Sequence, residues 1–120
     1  MASGGRKKAD LTKDQRIRAE YLRMKKLFSA LPGNELKFCD PLLQNAAFMK
    51  VTLEDLQKAI NENGVTDNYQ NGANQSGTKA SADLQAYNSL ANVYNALMDK
   101  LSAKLPKEMR KSKLQAMMDE

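Results

Sequence analysis

Histidine and tryptophan are missing from these 120 residues, and there is a single cysteine, Cys39. Without His there is no imidazole to ligate zinc, to serve a nucleophile as base, or to shuttle protons near neutral pH. One Cys excludes an internal disulfide and any cysteine zinc cluster, and it suits a reducing compartment. Aromatics are scarce, three Phe and four Tyr, so a core must be built largely from aliphatic and Met side chains. No apolar run approaches the roughly 18 residues of a membrane helix. The segment from Met1 to Asp10 lacks the apolar stretch a signal peptide needs. No G-x-x-x-x-G-K-[ST] string occurs, which removes the usual phosphate loop. No nucleophile–base set, carboxylate pair or metal cluster can be assembled either. The chain therefore reads as a non-enzyme without cofactor or metal, soluble and without a membrane partner.

What is present is basic, and unevenly so. The chain holds 19 Lys and Arg against 14 Asp and Glu, a net +5. Residues 1–28 carry nine basic and three acidic side chains, a net +6, and the rest sums to −1. A basic arm over 1–10 followed by a basic first helix is an electrostatic footprint for nucleic acid, or else a solubilising face. The candidate phosphate contacts are Arg6, Lys7, Lys8, Lys13, Arg16, Arg18, Arg23, Lys25 and Lys26.

Hydrophobic spacing predicts a mainly α protein of three long amphipathic helices, with a helical domain over 11–106 and a tail over 107–120. The first helix starts at Thr12, which with Gln15 makes a capping box. Ile17, Tyr21, Met24, Phe28 and Leu31 form its apolar stripe, and Pro32-Gly33 ends it. Arg18 and Lys25 flank the stripe on one side and Arg16 and Arg23 on the other, while Lys26 points away. Such flanking cations can grip phosphate or pair with acids of a neighbouring helix. Asp40-Pro41 is the expected start of the second helix, Asp as cap and Pro at the first helical position. Its expected stripe is Leu42, Ala46, Met49, Leu53, Leu56 and Ile60, running to about Asn63. Glu54 and Asp55, adjacent and about 100° apart on a helix, read as surface charges.

Asn63-Gly64 closes the second helix. Asn71-Gly72 between two short polar runs predicts a short exposed β-hairpin, or a structured loop. Ser81 caps a third helix that Pro106 stops. Its apolar arc, Leu84, Tyr87, Leu90, Ala91, Tyr94, Leu97, Met98 and Leu101, is wider than one partner helix covers. That width fits contacts to two neighbours, its own helical hairpin and another copy, or else an ordinary core helix. These residues are the candidates for oligomer packing. The tail from Lys107 forms a short helix or stays a frayed end. Its Met109, Leu114, Met117 and Met118 are candidates for a partner-binding segment.

Two strings carry a resemblance. Leu43-Gln44-Asn45-Ala46-Ala47-Phe48-Met49-Lys50-Val51-Thr52-Leu53-Glu54-Asp55-Leu56 is the first. Asn71-Gly72 through Asn74-Gln75-Ser76-Gly77-Thr78-Lys79, followed by Tyr87-Asn88, is the second. With the basic first helix they resemble the small terminase subunits of tailed bacteriophages, in the short branch found in phages of low-GC Gram-positive bacteria. The similarity spans residues 11 to 106. It implies a homo-oligomer, a ring, that binds double-stranded viral DNA in the host cell cytoplasm and delivers it to the large terminase subunit. That large subunit does the ATP hydrolysis and cleavage. Many such subunits begin with a helix-turn-helix built on a short turn. Here the expected connection from Pro32 to Asp40 is nine residues and the second helix is net acidic, so phosphate-dominated binding is expected. A helical phage adaptor acting only through protein contacts and an unrelated small basic DNA-binding protein are the other classes the residues fit.

Overall fold

Thr12 and Gln15 cap the start of the first helix as the sequence predicts. In the computed structural model, which describes residues 10–70 and 76–105, Thr12 Oγ1 accepts from the Gln15 backbone N–H at 3.1 Å. Gln15 Oε1 accepts in return from the Thr12 N–H at 3.0 Å. This helix, α1 (Lys13–Leu27), turns its apolar side inward: Met24 is fully buried, as are Phe28 and Leu31 just beyond it, and Ile17 and Tyr21 pack partly against the same core.

The second helix starts earlier than the Asp40-Pro41 signal says. Here α2 runs over Gly33–Asn63, with Pro32 at its N-cap and Pro41 inside it. Pro32-Gly33 therefore opens a helix rather than closing one, and the link from α1 is the five residues 28–32. Pro41 has no N–H to give to the Lys37 carbonyl, a loss worth about 3 kcal/mol in a helix interior. Packing decides against the break. The turns before Pro41 place Cys39 fully out of water and Leu36 against the core, and a helix begun at Asp40 would forgo that placement.

The earlier start goes with a rotated face. The buried residues of α2 are Cys39, Leu43, Ala46, Ala47, Val51 and Leu53. Only Ala46 and Leu53 belong to the expected stripe; Leu42, Met49, Leu56 and Ile60 are half-buried. At about 100° per residue the two sets are turned by roughly a quarter of the helix. Two small residues, Ala46 and Ala47, line the buried side and let a neighbour approach.

Gly64, at φ 90°, ends α2 with a conformation that costs a side-chain-bearing residue and costs glycine little. The chain then forms a two-stranded antiparallel hairpin, β1 (Thr66–Gln70) and β2 (Ser76–Ala80), in register Thr66↔Ala80 to Gln70↔Ser76. The Ser81 N–H donates to the Val65 carbonyl at 2.9 Å and closes the base of the hairpin. Ser81, buried, then caps α3 (Ala82–Ser102) by accepting from the Leu84 N–H at 3.0 Å. That helix ends at Ser102, ahead of Pro106, which lies outside the described residues together with the 1–9 arm and the tail.

The core gathers at one end. Met24, Phe28 and Leu31 meet Cys39, Leu43, Ala46 and Ala47 from α2 and Leu101 and Leu105 from the end of α3. Both α1 and α3 run antiparallel to α2. At about 1.5 Å per residue α1 covers about 22 Å of an α2 that is about 46 Å long. Beyond that, α2 and α3 continue as a pair toward the hairpin.

Candidate nucleic-acid interface

The cations of α1 divide into two groups, and α2 makes the division. On one flank Arg16 extends across to α2, where its Nη1 donates to Asp55 Oδ1 at 2.6 Å and its Nη2 to Glu54 Oε1 at 3.1 Å. Asp55 foremost, and Glu54 with it, hold the Arg16 guanidinium more firmly protonated than usual against the opposing effect of burial. Lys13, one turn earlier, stands 3.9 Å from Asp55 and lies over the Phe48 ring at 5.1 Å. Further along this flank Arg23 is paired with Glu20 of its own helix through Nε and Nη2. This flank is neutralised from within.

The other flank is open. Arg18, Lys25 and Lys26 are exposed, and among the described residues none of them forms an ion pair. Arg18 and Lys25 both rest on the Tyr21 ring, at 5.6 and 5.7 Å from its centroid. The aromatic face stabilises them in part and fixes where their stems lie. Tyr21 is itself anchored: its hydroxyl donates to Asp40 Oδ1, while Gln44 Nε2 donates to Asp40 Oδ2 at 2.7 Å. The Tyr21 hydroxyl and then the Gln44 amide hold the Asp40 carboxyl below its ordinary pKa, helped by the charge of Lys25. Asp40, expected to cap α2, thus serves as a post for the ring that carries two cations. A groove of about 420 Å³ runs beside them, lined by Asp14, Ile17, Arg18, Tyr21, Gln44 and Asn45.

Of the sequence-named cations, the structure brings Arg18 and Lys25 together over Tyr21 and leaves Lys26 exposed on the side of α1 away from the core. It turns Arg16 and Lys13 toward carboxylates. Arg6, Lys7 and Lys8 lie outside the described residues. Glu54 and Asp55 were the residues whose role sequence reasoning missed. Their signal was the neighbouring pair of acids on a net acidic helix opposite basic flanks, but which flank they meet depends on the helix packing.

The apolar arc of α3 divides as well. Leu101 is fully buried in the chain's own core, and Tyr94, Leu97 and Met98 pack against it. Leu101 is thus spent inside the chain, while Tyr94, Leu97 and Met98 keep part of their surface in solvent. Burial pushes the Tyr94 phenol up, so it stays neutral as a packed ring. Leu84, Tyr87, Leu90 and Ala91, on the same face nearer the hairpin, remain only half-buried. Met109, Leu114, Met117 and Met118 fall outside the described residues.

Among the described residues no group of His, Cys, Asp or Glu is placed to hold a metal ion, and no helix is long and apolar enough to cross a membrane. No family model matches the chain, and no curated protein or solved structure matches it.

Proposed function

We propose that this chain is a non-catalytic DNA-binding subunit that assembles with copies of itself: a small terminase subunit, which holds viral DNA for a large ATPase and nuclease partner. The observation that carries the reading is the exposed side of α1, where Arg18, Lys25 and Lys26 face solvent and form no ion pair among the described residues. Cations held on a rigid helix, two of them steadied by one ring, suit the regular phosphates of a duplex. The five-residue turn between α1 and α2 supports the reading too, since it removes the long connection that set this chain apart from the short-turn N-termini of such subunits. The half-buried face of α3 near the hairpin supplies an apolar surface for a second copy, and several copies multiply weak phosphate contacts into useful avidity.

DNA binding measured against salt concentration tests this. Replacing Arg18, Lys25 and Lys26 together by Ala is expected to flatten the slope of log affinity against log salt by about 2.7, roughly 0.9 for each phosphate left without its cation. An unchanged slope would return these residues to a solubilising role. A chain that assembles but ignores duplex DNA at low salt would be a structural adaptor, and a monomer that binds DNA would be an unrelated nucleic-acid protein.

A further inference from the structure

The flank of α1 that α2 neutralises has the chemistry of a second phosphate site. Arg16 and Lys13 sit one turn apart, as two neighbouring phosphate contacts would require. Two carboxylate oxygens at 2.6 and 3.1 Å satisfy Arg16 from separate nitrogens, much as two oxygens of a phosphate would. The contact is open from the acid side: the side chains of Glu54, Asp55 and Lys13 are 31, 41 and 44 % exposed, while that of Arg16 is 19 % exposed. Ion pairs this wet are weak, and phosphate can compete for them. A cleft of about 180 Å³ lined by Arg16, Glu20, Arg23 and Glu54 adjoins the contact, so an incoming group has room beside the carboxylates.

We infer that Glu54 and Asp55 form an acidic latch that withholds Arg16 and Lys13 from DNA, a reserve pair of phosphate ligands used only when the latch opens. The inference rests on the DNA-binding reading above and adds an autoinhibitory contact to it. The latch lowers affinity for any duplex, so that the open flank makes the first contact and Arg16 and Lys13 engage afterwards. It also ties the first turn of α1 to the C-terminal half of α2, so engaging the reserve pair frees that end of α1 while Met24 and Phe28 keep the other end in the core.

Affinity for a labelled duplex of mixed sequence, measured across a salt series, tests the latch. The double variant Glu54→Gln, Asp55→Asn is expected to bind about tenfold tighter at low salt and to steepen the salt slope by about 1.8, as neutralising two more phosphates requires. A control that removes the same charge elsewhere, Glu35→Gln with Asp83→Asn, separates the latch from a general change in charge. In a background of Lys13→Ala and Arg16→Ala the tighter binding should vanish. Circular dichroism of each variant establishes that it is folded, and Glu54→Gln alone gives a milder version of the same test. If the latch variant binds no tighter than the control, or binds as tightly without Arg16 and Lys13, the latch is overturned while the DNA reading stands. If neither the parent nor any variant binds the duplex, both fall.

Discussion

The two ends of the helical bundle are built to different standards. At the α1–α2 turn three helices converge, and Met24, Phe28, Cys39, Leu43 and Leu101 are sealed from water. At the hairpin end two helices remain, because α1 is half the length of α2. Leu56, Ile60, Leu84, Tyr87 and Leu90 are left half-buried there, and Val65 is exposed. Two helices can hide one seam between them, and a wide apolar arc on each leaves a margin in water. The packed end thus holds a sealed core, with Phe38 exposed at its rim, whereas the hairpin end leaves its apolar residues half in water.

The largest test of that contrast falls on the packed end. Phe28→Ala should cost about 3–5 kcal/mol, which for a domain this small approaches the whole stability. Thermal melting reads it, and a loss near 1 kcal/mol would mean that this end is looser than its burial implies. A change of opposite sign is expected from Pro41→Ala. Restoring the N–H offsets the helix penalty, less the ordering that proline gives the unfolded chain, for a net stabilisation of about 2 kcal/mol. A destabilised variant would show that the ring itself contributes packing. The smallest effect belongs to the hairpin end: Leu84→Ser with Leu90→Ser should cost at most about 1 kcal/mol each in a dilute sample. The same pair should raise the concentration at which the chain self-associates. Equal losses at the two ends would erase the contrast.

Local chemistry was legible in the residues themselves. The Thr12–Gln15 box, the Ser81 cap and the Gly64 stop depend on side chains within a few positions of the element they bound, and each stands where the sequence puts it. The hairpin was legible for the same reason, though the last paired residues, Gln70 and Ser76, leave five residues between the strands where a tight Asn-Gly turn would leave two. Failures came where a distant partner decides. Asp40-Pro41 is a good local start signal, but the core reaches Cys39 and keeps the helix going through it. The stripe of α2 was misplaced because its apolar arc is wide, and only the arrival of α1 and α3 selects which part is buried. For the candidate site, the basic character of α1 was plain, but its division into an open and an occupied flank was not. That division follows from Glu54 and Asp55 lying 38 and 39 residues away from Arg16.

The mass of the particle, measured by sedimentation with and without duplex DNA at low salt, tests the central claim most directly. A DNA-binding subunit that completes its hairpin end with its own copies should sediment as a multiple of its 13.4 kDa and carry the duplex with it, releasing the DNA as salt rises. A single 13.4 kDa species that leaves the duplex free at low salt would contradict the account.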